Sequence, residues 1–256
     1  MHAHKKMKSR LNRFSKCHVL LRWVGLLCSF AVGAGLHAQT VYWDGANTAS
    51  NSVIDGGTGT WSAAGNNWTD STGSTNSIWP AGTSVPVFQG TTGTVTLSGT
   101  QNAGGLNFQV GNYQLTGGTL GFGNAAGNTV LVNTGTATVG SVLSSANPIT
   151  KTGIGTLSLT GSNGATLSSA FTVSQGTLSG VLSVTSGGTT NAFGTGVLSI
   201  SNGATLAIND SSTLAATTGD YSFNSITGAG NINQGARLER HALWWTSKML
   251  RRPRGW

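Results

Sequence analysis

Apolar side chains recur at every second position in short runs along the middle of the chain. TVTLS begins at Thr94, YQLT at Tyr113, TVLV at Thr129, TLSLT at Thr156, FTVS at Phe171, VLSV at Val181, VLSI at Val197 and TLAI at Thr205. Each run has one apolar face and one face of hydroxyls, the pattern of a half-buried strand. Gly, Asn and Ser separate the runs and supply the turns. No window holds apolar residues at three-and-four spacing over three turns, so no amphipathic helix is predicted. Strands this short cannot stand as isolated pairs. Stacking them as successive coils, like position over like position, buries their apolar faces with little need for large side chains. The predicted fold class is therefore all-β, a right-handed parallel β-helix (solenoid), with an antiparallel β-sandwich as the second possibility. At about 22 residues per coil the body makes about nine coils.

Residues 39–88 break this pattern. Trp43, Trp61, Trp68 and Trp79 lie in VYWDG, GTWSAAGNNWTD and SIWPAG. Two readings stand. The indoles form a cap that closes the exposed first coil, as the terminal repeat of a solenoid requires, or they form a stacking platform for sugar rings. The scarcity of aromatic side chains elsewhere favours the cap, because large rings are most needed where a small-residue core ends.

Composition narrows the class without naming an activity. The chain has 256 residues, with 39 Gly, 4 Pro and 8% charged side chains. That excludes a coiled coil, and the absence of a Gly-X-Y period excludes a triple helix. The formal net charge of +8 suggests a nucleic-acid partner until the charges are placed along the chain. Lys5, Lys6, Lys8, Arg10, Arg13, Lys16 and Arg22 precede residue 38, and six Arg or Lys against Glu239 follow residue 236. The body between them holds Lys151 against Asp44, Asp55, Asp70, Asp210 and Asp220. One cation cannot neutralise a run of phosphates, so no nucleic-acid partner is expected.

The basic start runs into an apolar stretch over 23–36 that breaks into small residues, which predicts a secretory signal peptide over 1–38 cut after Ala38. The alternative is an uncleaved membrane anchor. Cys17 and Cys28 both fall within this leader, and the histidines at 2, 4, 18, 37 and 241 all fall outside the body. Residues 39–236 therefore contain no His, Cys or Glu. Without them there is no Ser-His triad, no thiolate or imidazole metal site and no disulfide framework. Lys151 does not follow a phosphate-binding glycine loop. No catalytic residue, metal ligand or cofactor is expected. A β-helical polysaccharide-degrading enzyme would need paired carboxyls, for which Asp44, Asp55 and Asp70 are the nearest set in sequence. That reading ranks below both an adhesive solenoid and a carbohydrate-binding module built on the four tryptophans.

The segment 149–180, ITKTGIGTLSLTGSNGATLSSAFTVSQGTLSG, resembles the autotransporter-associated β-strand repeat of passenger regions in bacterial surface proteins. The matching elements are T-K-T-G-x-G-T-L-x-L-x-G over 150–161 and T-V-S-x-G-T-L over 172–178. FGTGVLSISNGATLAI over 193–208 and the stretch 98–123 extend the likeness, whereas 164–169 depart from it. The resemblance implies a β-helical passenger exported by Sec-type machinery and displayed at the cell surface or outer membrane, or released. It implies a structural or adhesive role, with surface polysaccharide as a possible partner. Family members often end in an outer-membrane barrel, and the twenty residues after 236 are too few for one, so the resemblance leaves a barrel to downstream sequence or to another chain.

At Arg237 the composition changes within one residue to RLERHALWWTSKMLRRPRGW. The tail 237–256 reads as the product of a truncated or frameshifted passenger gene. Alternatively, Leu238, Ala242, Trp245 and Met249 at helical spacing form a basic segment for anionic lipid. The expected organisation is signal peptide 1–38, Trp-rich cap 39–88, solenoid 89–236 and basic tail 237–256.

Overall fold

The computed structural model describes residues 39–186, 188–211 and 225–234. The chain divides into two compact units, 1–35 and 36–256. Residues 1–38, the whole of the expected signal peptide, lie outside the described residues, as does the basic tail.

Two long sheets organise the second unit. The first carries eight parallel strands at 40–43, 85–88, 105–108, 128–132, 149–152, 171–173, 197–200 and 225–228. The second carries eight at 59–61, 94–97, 114–116, 136–139, 156–159, 177–185, 205–210 and 231–234. Along the sequence the chain visits the two sheets alternately. Over the middle of the stack a third sheet, 100–103, 119–122 and 142–144, closes a further side. This is a parallel β-solenoid, and among the described residues it contains no helix.

Coil length follows from which turns close. Thr129, Thr150 and Thr172 stand opposite one another in register, steps of 21 and 22 residues. Phe171 stands opposite Leu198 and Leu198 opposite Ile226, steps of 27 and 28. The extra length between 171 and 198 is an antiparallel hairpin, in which Leu182 faces Asn191 and Thr185 faces Gly188. The step from Thr40 to Val85 spans 45 residues because it contains the Trp-bearing segment. Among the described residues each long sheet holds eight parallel strands, where a uniform repeat of about 22 residues gives about nine coils over the body.

The alternation read from sequence sets the inward face. Thr136–Val139, Thr156–Leu159 and Val197–Ile200 each bury every second side chain. Like positions stack: Ala137, Leu157, Leu178, Leu206 and Ile232 form one column. Val95, Leu115, Val139 and Leu159 form another, which continues to Gly180 and Ile208. At Gly180 the missing side chain is replaced by the Phe193 ring, which lies where a Cβ would stand, 2.5 Å away. The hairpin that lengthens this coil returns the chain to Phe193, so one irregularity fills the other.

Two buried asparagines supply partners to backbone groups at the corners. Asn163 is fully buried, accepts from the Leu143 N–H at 2.7 Å and donates to the Ala192 carbonyl at 2.6 Å. Asn128 joins the 124–128 turn to the Pro148 carbonyl of the next coil.

Candidate functional site

The first strand, Thr40–Trp43, is bonded on one side to the parallel strand Val85–Phe88. On its other side lies not a further coil but an antiparallel ribbon. Trp68 faces Trp43, Thr69 faces Tyr42, and 68–69 pairs in turn with 76–77. A solenoid strand left open offers a row of unpaired N–H and C=O groups to any other chain. Here the ribbon takes up the Tyr42 and Trp43 end of that row, so the first strand is not left wholly open.

Beneath the ribbon the four tryptophans meet. Trp43, Trp61 and Trp68 are fully buried and Trp79 is 3% exposed. Trp43 packs edge-to-face on Trp68 at 5.0 Å, Trp61 on Trp68 at 4.9 Å and Trp61 on Trp79 at 4.8 Å. Phe88 extends the cluster from Trp61 and Trp68 into the stack, lying parallel to Phe108 at 4.9 Å. Edge-to-face packing sets the positive rim of one ring against the negative face of the next. Two indoles have a hydrogen-bond partner: Trp43 Nε1 donates to the Gly57 carbonyl at 2.8 Å and Trp79 Nε1 to the Asn102 carbonyl at 3.0 Å. The indole nitrogens of Trp61 and Trp68 are buried without one. Tyr113 completes the lower rim, its hydroxyl 2.7 and 2.6 Å from the carbonyls of Gln89 and Thr91 while it accepts from the Gly57 N–H. Burial raises its pKa. Sugar stacking needs an open ring face, and these four rings turn their faces to one another.

The three acids of the N-terminal region act locally. Asp44 is fully buried. It accepts from the Asp55 N–H at 2.8 Å and from the Asn76 amide at 2.9 Å, fixing the 44–55 loop to the ribbon. Asp55 accepts from the side chains of Asn47 and Asn51. Asp70 accepts from the backbone and hydroxyl groups of Thr72 and Ser74 in a tight turn. The Thr72 bonds, foremost that from its hydroxyl, hold the Asp70 carboxyl well below the usual carboxylate range. Asp55 and Asp70 each serve their own loop, whereas Asp44 ties its loop to the ribbon. An open groove of about 590 Å³ runs beside the first strand, past Tyr42, Thr69, Asp70 and Ser77, and most of its lining residues bear a hydroxyl. Among the described residues no group of three His, Cys, Asp or Glu is placed to hold a metal ion.

The sequence reading passed over one residue that the structure makes prominent. Lys151 is fully buried, in a column between Val130 and Val173. Its Nζ lies 2.6 Å from the carbonyls of Gly153 and Gly155, 2.9 Å from that of Gln175 and 3.1 Å from that of Thr152. Burial pushes its pKa down to about 8. Parity is the signal that was available. Ile149 and Lys151 share a face of one strand, so an inward Ile149 forces Lys151 inward too.

Fold and end geometry together define a parallel β-solenoid, one of whose two long sheets begins with a short antiparallel ribbon over an aromatic cluster. Among curated proteins the chain is similar to the adhesin BmaC autotransporter of Brucella suis biovar 1 (strain 1330), with 37% identity over 169 residues, 64% of this chain. The chain spans about 5% of the length of that adhesin. No protein-family model and no solved structure matches it.

Proposed function

We propose that this chain is an exported, surface-displayed passenger segment with a structural or adhesive role and no catalytic activity. The observation that carries the reading is the similarity to an autotransporter adhesin across 64% of the chain, on a chain that folds as a parallel β-solenoid. In this reading Sec-type machinery exports the chain, and an outer-membrane barrel, on further sequence or another chain, holds it at the surface. Contacts are spread over the hydroxyl-bearing outer faces, with surface polysaccharide as one partner class, and no nucleic acid is bound. The four-residue strands repeat the same small polar side chains outward from coil to coil, which suits many weak contacts better than one deep pocket.

Protease shaving of intact cells that make the full chain, alongside an adhesion assay against a deletion strain, tests this. Loss of the chain on shaving and weaker adhesion of the deletion strain are expected. A chain protected inside intact cells, or equal adhesion of both strains, would refute it. The carbohydrate-binding alternative places the ligand on Trp43, Trp61, Trp68 and Trp79. Their exposure of 3% or less supports a packing role for them instead. A folded Trp61→Ala/Trp68→Ala variant that lost polysaccharide retention would return the argument to the sugar site.

A further inference from the structure

We propose that the carbonyl oxygens of Thr152, Gly153, Gly155 and Gln175 form a binding site for a monovalent, ammonium-type cation, which the chain fills with its own Lys151 and which pins one coil to the next. Three of the oxygens belong to the corner that follows Lys151 in sequence, and the fourth comes from the following coil. All four are neutral, which suits a single positive charge. A divalent cation of the hard type is normally held with carboxylates, whereas rings of backbone carbonyls are the usual cage for monovalent ions. The distances, 2.6 to 3.1 Å, are those of charge-assisted hydrogen bonds, with three N–H donors shared among four acceptors.

The surrounding backbone is shaped for this contact. Gly176 adopts φ +64°, and a Cβ there would stand 2.7 Å from Lys151 Nζ. Glycine therefore lets the second coil close over the ammonium. The Gln175 side chain makes a second tie, its Oε1 accepting from the Gly153 N–H at 3.3 Å. The other inward positions of this column are Leu106, Val130, Val173 and Ile200, all apolar. A lysine at this level is thus a departure from simple packing, and its charge is met by the corner. The T-K-T-G-x-G segment and the S-x-G-T-L segment one coil later become two halves of one device: the first supplies the cation and three oxygens, the second the closing oxygen and the glycine.

The test uses the full chain with Lys151→Ala and Lys151→Met, melted in ammonium chloride and in tetramethylammonium chloride at equal ionic strength. Lys151→Ala should lower Tm by roughly 5–10 °C. Ammonium should restore at least a third of that loss with a saturating concentration dependence, and tetramethylammonium, too large and without N–H donors, should not. Lys151→Met fills the space without donors and should stay low in both salts. A Met variant as stable as the wild type, or an Ala variant that responds alike to both salts, would overturn the proposal. A measurement on the wild type stands apart from the variants: after brief acetylation, Lys151 should be at least tenfold less modified in the folded chain than in the same chain unfolded in urea. Equal modification would overturn the site.

Discussion

Trp68 offers the strongest test of how the end of the solenoid is held. Its ring is fully buried, 4.7 Å from Trp79, 4.9 Å from Trp61, 5.0 Å from Trp43 and 6.1 Å from Phe88. A buried aromatic side chain removes about 150–250 Å² from water, and at about 25 cal/mol per Å² that is about 4–6 kcal/mol. Alanine keeps a little of this. Truncation also removes the indole N–H, which is buried without a partner and opposes folding by about 1–3 kcal/mol. The remaining loss for Trp68→Ala is about 1–5 kcal/mol, and the cavity left among the other rings moves it toward the upper end. The orphan N–H makes a sharper comparison. Trp68→Phe loses no hydrogen bond, whereas Trp79→Phe loses the bond to the Asn102 carbonyl. Trp79→Phe should therefore be the more costly of the two by about 1–3 kcal/mol.

Urea unfolding followed by far-ultraviolet circular dichroism gives the free energies. Amide hydrogen exchange shows where they act, because each coil of a solenoid contacts only its neighbours. Trp68→Ala should lose protection over residues 40–97 and keep it over 149–210. A cost below about 1 kcal/mol for Trp68→Ala, or a Trp68→Phe variant less stable than Trp79→Phe, would refute the account of a core closed by partnerless indoles.

Two further outcomes follow from the packing. Asn163→Ala strands the buried Leu143 N–H and Ala192 carbonyl together and should cost about 2–4 kcal/mol in urea unfolding; a loss under about 1 kcal/mol would mean that water replaces the amide. Phe193→Ala opens the space over Gly180 and should cost about 3–5 kcal/mol, and Gly180→Ala in that background should recover part of it by filling the space, seen as a positive coupling in a double-mutant cycle.

Much of the architecture was legible in the residues because strand alternation is a local property. TLSL at 156–159 and VLSI at 197–200 bury the side chains that their parity assigns, and the absence of helical spacing is matched by the absence of helix among the described residues. Parallel stacking was inferable because strands of four residues with small side chains have few other ways to bury one face. What pattern alone could not give was coil length, since length depends on where a turn closes against a neighbour many residues away. The hairpin over 181–191 stretches one coil, and Phe193 compensates for Gly180 across it.

The same division runs through the candidate site. Composition and placement alone determined that residues 39–236 carry no His, Cys or Glu and only one cation, which removed whole classes of chemistry. The sequence also marked the four tryptophans as special but left their use open, because an indole that stacks on a sugar and one that closes a core have the same identity. Tertiary structure places 68–69 antiparallel to the first strand, so that the rings meet edge to face and lie buried, which supports a packing use. It likewise sets the partners of Lys151, which are backbone oxygens with no identity in the sequence. Side-chain type and spacing are written along the chain, but which carbonyls converge on an amine is a property of register between coils, and register exists only once the coils are stacked.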